Sequence, residues 1–420
     1  MNNFFNDIQK QVARQVAHWT MAAYRLENLE DMASPTAWEG LERYLGITIR
    51  QRLLESIHRL QDEAKMLRTA MQSVRSGSDP EGIRQKLDVF RKQYLRTEIT
   101  LDFFADAINT RTNPEIAALV RACDIMAQRS MQELLDQLGM PTPPVLTYLD
   151  KGKGASILKA RLRLWDGKTE NPAAAIKIVR HNLYRPTALI HESGHQVAHI
   201  IGWNKELATA LQNRLAITSN NIAEMWANWA SEIAADMYAF VHTGYASVAG
   251  LHDVVAGSDD SVFRYNELDP HPISYLRVLL GTETCRQFFG TGPWDELERA
   301  WRYQHPVTNA SPEIQERLRQ SLPLLPMIVK ICLRTPMRSF HRQTLTALID
   351  PDRVNPKSLL KLRQEIGPAL FTSRHWIWSE PIRLLALTGF QAATIPNQAT
   401  EILNQQKDWM LRLGTVLQAA

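Results

Sequence analysis

His191-Glu192-Ser193-Gly194-His195 spaces two imidazoles four residues apart, with a carboxylate directly beside the first. In an α-helix, residues i and i+4 lie about 40° apart on one face, so both rings can offer a nitrogen to one metal ion. Glu192 then reaches a water on that ion, which makes the stretch a zinc site with its own general base. Chance would produce only ~0.04 such matches in a chain with this content of His and acidic residues. A helix is predicted around it: Pro186 suits a first turn, where a missing N–H costs nothing, and Gly202 suits the exit. Leu189, Ile190, Val197, Ile200 and Ile201 fall mainly on the side away from the histidines and give the helix a core to anchor in.

A zinc ion in a hydrolase takes three protein ligands and keeps one open position for water. A metzincin places its third ligand six residues after the second histidine, where this chain has Ile201. His199 is one more turn along, but ligands at i, i+4 and i+8 spread over about 12 Å of helix axis, too far for one ion. His199 is read as a residue of the cleft wall or a partly buried polar side chain. The better candidate lies in Met225 to Phe240, a segment of helical character with Ser219, Asn220 and Asn221 as N-cap candidates. Its apolar surroundings make a carboxylate pair at Glu232 and Asp236 costly unless a cation compensates. Glu232 would complete the ligand set, and Asp236 would accept the second ring N–H of a ligand histidine. Glu224 is a rival ligand, without an Asp four residues after it. The alternative for Glu232 and Asp236 is the solvated stripe of an amphipathic helix.

With these residues in place the chain resembles the gluzincin metallopeptidases, in which HExxH is followed on a later helix by ExxxD. Glu232 to Asp236 reads as ExxAD, and Asp269-Pro270-His271-Pro272 with Arg277 resembles the HP-plus-Arg element of the HtpX and CAAX prenyl-protease branch. The resemblance covers roughly residues 185 to 280 and omits that branch's membrane helices. It implies metal ligands His191, His195 and Glu232, with Glu192 as base. Pro272 can begin a helix and leave His271 at its mouth, pointing at the cleft to donate to a developing oxyanion; the alternative is a helix-start residue without chemistry. Arg277 can pair with Asp236.

Length and composition describe an ordinary globular chain of two or three domains. Cys123, Cys285 and Cys332 are odd in number and far apart, which argues against a disulfide framework or a cysteine zinc site. The first residues lack a basic start followed by an apolar run, and the most apolar stretch, Leu322 to Leu333, is interrupted by Pro and Lys. A cytoplasmic location follows as the expectation, with export by a route that needs no such signal still compatible.

Residues 1–140 read as an N-terminal helical domain, for example over Gln51 to Ser73 and Glu115 to Leu138, with charges that nearly cancel. Such a region packs on itself or binds a protein partner rather than nucleic acid. Pro141 to Pro144 marks a stiff boundary. In Leu158 to Leu164 apolar residues alternate, which predicts a strand; Asp166-Gly167 predicts a turn, and Ala174 to Arg180 a second strand. A sheet edge beside an HExxH helix can hold an extended peptide by main-chain hydrogen bonds. Residues 151–190 hold nine Lys or Arg against two acids. They suggest acidic substrate segments, although Lys159, Arg161 and Arg163 read first as the solvated face of a strand. Gly167-Lys168-Thr169 lacks the leading glycine of a phosphate loop, so nucleotide binding is rejected. After Gly290 helical patterning returns, and Phe371, Trp376 and Trp378 read as core.

The expected fold is mainly α with a small β-sheet (α+β): a zincin-like catalytic core at 141–300, flanked by helical regions at 1–140 and 301–420. The expected function is zinc-dependent peptide-bond hydrolysis on a protein or peptide substrate. Two alternatives are a non-catalytic, zinc-stabilised helical interaction protein and a toxin-like effector whose helical parts serve delivery. The intact Glu192 argues against the first, because a structural site has no use for a base.

Overall fold

The computed structural model describes residues 2–74, 80–152, 154–165 and 167–415, and these build a mainly α-helical fold with one three-stranded sheet, the class expected from the sequence. Two compact units result, residues 1–113 with 160–173 and residues 114–159 with 174–420.

The first unit consists of α1 (Asn2–Arg25), α2 (Pro35–Leu45), α3 (Ile49–Gln72) and α4 (Glu81–Asn109). Ser34 starts α2 by accepting the Ala37 N–H, and Gly46 ends it in the left-handed conformation that a side chain would resist. Apolar positions at helical spacing on α1, α3 and α4 meet in one core, including Val12, Val16, Leu60, Leu67, Leu87 and Phe90.

The second unit begins with α5 (Pro114–Leu135), followed by β1 (Val145–Leu149), β2 (Ser156–Leu158) and β3 (Ala174–Ile178). β3 is central, parallel to β1 and antiparallel to β2. Then come α6 (Ala188–Ile201), α7 (Trp203–Leu215), α8 (Asn220–Asn228), α9 (Ala230–Thr243), α10 (Tyr245–Val255), α11 (Asp259–Val262) and α12 (Ser274–Phe289). Further helices follow, of which Pro381–Thr394 packs on α10 and Ala399–Thr415 on α5. No helix among the described residues is long and apolar enough to cross a membrane.

Several local expectations change. α5 belongs to the second unit, where it packs on α6, β1 and the helix Ala399–Thr415. Asp124, fully buried on α5, ties it to the sheet by accepting the Thr147 N–H at 2.6 Å. The predicted strand 158–164 is confined to Ser156–Leu158. Arg161 has φ +66°, which breaks an extended run, and Leu162 is exposed. Residues 160–173 instead belong to the first unit, where Thr169 accepts from Arg59 at 3.1 Å, Lys168 meets Glu63 at 3.1 Å and Trp165 packs on Phe103. Gly167 donates to the Leu164 carbonyl, as a turn requires; Asp166 lies outside the described residues. β1 was not anticipated, because its five residues are too buried to alternate. Trp378 is partly exposed and carries the Arg129 guanidinium 4.0 Å from its ring, whereas Phe371 is core.

Candidate metal centre

The HExxH segment occupies the middle of α6, which Gly202 ends at φ +74°. Pro186 precedes the helix, with Thr187 as its N-cap. The segment Met225 to Phe240 is two helices rather than one. Trp229, at φ −87° and ψ 1°, leaves helical geometry, and its buried ring packs edge-on against Trp226. Ser219 caps α8 by accepting the Ile222 N–H. The restart at Ala230 puts Glu232 in the first turn of α9, where the helix dipole favours a carboxylate.

α6 and α9 lie unusually close. A Cβ on Gly194 would stand 3.0 Å from Ala235 Cα and 3.0 Å from Tyr238 Cβ, so the second x of the HExxH sequence is a packing position. The approach brings one donor atom each of His191, His195 and Glu232 within 4.8 Å of one another. His191 Nε2 is 3.4 Å from Glu232 Oε2, and His195 Nε2 is 3.2 Å from Glu232 Oε1. The two imidazoles face different oxygens of Glu232, and one donor atom from each of the three residues can be chosen with all within 4.8 Å, two nitrogens and an oxygen of the types that zinc takes. His191, His195 and Glu232 could therefore hold a metal ion.

The residues around this triad fix its orientation. His191 Nδ1 is 2.9 Å from Asp236 Oδ1, the contact expected of an acid one turn beyond Glu232. Arg277, from α12, donates to Asp236 at 2.6 and 2.8 Å and to Glu232 Oε2 at 3.2 Å. The buried Glu232 and the half-buried Asp236 thus share one buried guanidinium. Burial would raise the Glu232 carboxyl, but His191, His195 and Arg277 outweigh it and hold it well below the usual range. Asp236 behaves likewise and is held at about 2 by Arg277 and His191 against its own burial. Burial pulls the Arg277 guanidinium down, yet Asp236 and Glu232 keep it firmly charged.

Glu192 is 6% exposed and, with His191 and Glu232, lines a cavity of about 920 Å³. Burial pushes its carboxyl up, the two imidazoles oppose this, and the Glu232 charge adds to it. His271 also lines the cavity, with Nε2 3.6 Å from Glu232 Oε2 and its side chain 56% exposed. Pro272 does not start the helix there; α12 begins at Ser274 after the N-cap Ile273. No protein-family model, curated protein or solved structure matches this chain.

His199 and Glu224 are exposed and stand outside the donor group. Two residues given no role from the sequence do touch the site. Ser231 Oγ is 3.4 Å from His195 Nδ1, and Asp269 Oδ1 is 2.7 Å from His271 Nδ1. Ser231 meets His195 from a helix 36 residues further on, which no local spacing announces, whereas Asp269 accepting the N–H two residues on is an Asx turn that the Asp-Pro-His order could have suggested. Lys159, at the end of β2, is half-buried; burial lowers its pKa, while Glu232 and Glu192 raise it, which places its charge within electrostatic reach of both acids.

Proposed function

We propose that this chain is a zinc metallopeptidase of gluzincin type, acting on a protein or peptide substrate. The observation that carries the reading is the His191–His195–Glu232 donor group with the buried Glu192 beside it, of which His191, Glu232 and Glu192 line one large cavity. The three-residue donor set leaves a tetrahedral ion one position, the pattern of a catalytic rather than a structural zinc site. The order HExxH, ExxAD and HP-plus-Arg, here joined in space, supports the gluzincin assignment.

A bound zinc ion supplies Lewis acidity and brings the pKa of a coordinated water to about 7. The protein's own groups do the rest. Glu192 takes the proton of the attacking water and returns it to the leaving nitrogen, a task that its raised pKa suits. Asp236 fixes the His191 ring so that Nε2 faces the donor group. Arg277 prevents Glu232 and Asp236 from repelling each other. His271 offers Nε2 at the cleft for a developing oxyanion. β2, an edge strand packed beside α6, provides a main-chain rail for an extended peptide.

Cleavage-site profiling on a cell-derived peptide library tests this, with Glu192→Gln as the control. The expected result is one zinc per chain in both proteins, with cuts by the parent that vanish in the variant. Equal cutting of a confirmed substrate by Glu192→Gln would refute the assigned base. An absence of variant-sensitive cuts from peptides and from folded proteins would favour the zinc-stabilised interaction protein.

A further inference from the structure

A smaller cavity, of about 90 Å³, lies where α5, the end of α9, the turn Pro351–Val354 and the start of the helix Pro381–Thr394 meet. It shares no lining residue with the cavity at the metal centre. His242, in its wall, is ten residues beyond Glu232, or about 15 Å along α9. The volume exceeds the ~10–15 Å³ that one water needs and falls short of the ~150 Å³ that admits a benzene ring.

Part of the lining lacks an acceptor. The Arg129 guanidinium lies over the Trp378 ring at 4.0 Å and meets no carboxylate among the described residues, so burial lowers its pKa unopposed. No side chain caps the helix Pro381–Thr394, and the first-turn N–H groups of Ile382 and Arg383 find no acceptor among the described residues. Together with the helix dipole, those groups favour an anion. Another part lacks a donor. His242 is 2% exposed, and its Nε2 has no hydrogen-bond partner among the described residues. Burial and Arg353 push its pKa down to about 3, so the ring is neutral. With its one proton on Nδ1, which is 3.6 Å from Glu133 Oε2, Nε2 is a bare acceptor. Glu133 and Glu380 add carboxylate oxygens to the wall, bridged by Arg353 at 2.5 and 3.5 Å, and Glu380 also meets Arg383 at 3.5 Å. Asp350 is exposed and accepts the Asp352 N–H.

Water could bond to each of these groups, yet it has no charge to offset Arg129. A fully ionised oxyanion has the charge but no hydrogen for His242 Nε2, and Glu133 and Glu380 repel it. An oxyanion that keeps a hydroxyl satisfies both parts of the lining. We propose that this cavity binds hydrogen phosphate: the ionised oxygens accept from the Arg129 guanidinium and from the Ile382 and Arg383 N–H groups, while the hydroxyl donates to His242 Nε2.

The full-length protein as purified tests this by calorimetric titration. Inorganic phosphate should bind saturably with a Kd below about 1 mM. Sulfate has the same shape but no hydroxyl at neutral pH, and at equal ionic strength it should bind at least about tenfold more weakly, because it leaves His242 Nε2 unpaired. A long-range proton–nitrogen spectrum, with the His242 ring signals identified by their loss in His242→Gln, should show Nε2 moving to the position of a hydrogen-bonded acceptor as phosphate is added. That shift separates this cavity from phosphate taken up at the metal centre. Arg129→Leu should lower phosphate affinity at least about tenfold. Without phosphate it should unfold at a urea concentration no lower than the parent, since the charge removed had no counter-ion. Absence of saturable phosphate binding, equal affinities for phosphate and sulfate, a His242 ring spectrum unmoved by saturating phosphate, or unchanged phosphate affinity in Arg129→Leu would each overturn the proposal; the comparison of the two anions needs no variant.

Discussion

Gly194→Ala adds one methyl group between α6 and α9 and should weaken the metal site without touching a ligand. Ordinary carbon contacts are about 3.5–4.0 Å, so a Cβ 3.0 Å from Ala235 Cα and Tyr238 Cβ is about 0.5 Å too close. Ala235 Cα is backbone and cannot rotate away, so the α9 main chain must move. Glu232 is three residues earlier on the same helix and moves with it. Metal–ligand distances tolerate only about ±0.2 Å, so a shift of this size should cost roughly tenfold or more in zinc affinity. Overpacking costs about 1–3 kcal/mol, while replacing a helical Gly by Ala returns about 0.8–1 kcal/mol. The net effect on the metal-free protein should be about 0–2 kcal/mol of destabilisation. Urea denaturation of the metal-free protein and zinc competition against a chelator measure the two effects. A variant more stable by about 1 kcal/mol with unchanged zinc affinity would refute the tight α6–α9 contact.

Four further outcomes follow from the site. In the metal-free protein the His191 pKa is pushed to about 10: burial lowers it, but Asp236 and Glu232 raise it more. The stabilisation from protonated His191 is complete below about 6.5 and lost as pH rises toward 10, whereas zinc binding must expel that proton. Zinc affinity should therefore increase with pH through neutrality and release protons, as calorimetry in buffers of different ionisation enthalpy would show; pH-independent binding without release would contradict this. Asp236→Asn should leave a detectable site weakened about 10- to 100-fold, whereas Glu232→Gln should lose metal more severely; stoichiometric zinc of unchanged affinity in the latter would move the third-ligand role elsewhere. Arg277→Leu leaves the buried Glu232 and the half-buried Asp236 without their guanidinium and should cost about 3–5 kcal/mol in urea denaturation, with a change under about 1 kcal/mol counting against the shared ion pair. If Lys159 selects substrate charge, acidic residues near the cut should be enriched, less so at high salt and in Lys159→Gln; profiles indifferent to both would discard the idea.

Periodicity and spacing were enough for the fold class and for which residues could form a donor set. The HExxH repeat matches one helical turn, so His191 and His195 share a face wherever that helix lies. The acids of α9 stood out because a carboxylate pair in an apolar helix needs a cation, and Arg277 is that cation even without a metal. Local pattern could not decide what depends on long-range packing. The alternation in Leu158 to Leu164 is a strand pattern, yet Arg161 turns the chain, and contacts to Arg59, Glu63 and Phe103 fix residues 160–173 in another unit. The break at Trp229 and the place of Gly194 between two helices likewise appear only when α8, α9 and α6 pack. Ser231 carried no readable role because it reaches its histidine from a helix 36 residues further on, where only the packing of α6 and α9 brings the two together. Helical spacing is set by covalent geometry and is legible residue by residue; the distance between His191 and Glu232, 41 residues apart, is set by how closely two helices can approach.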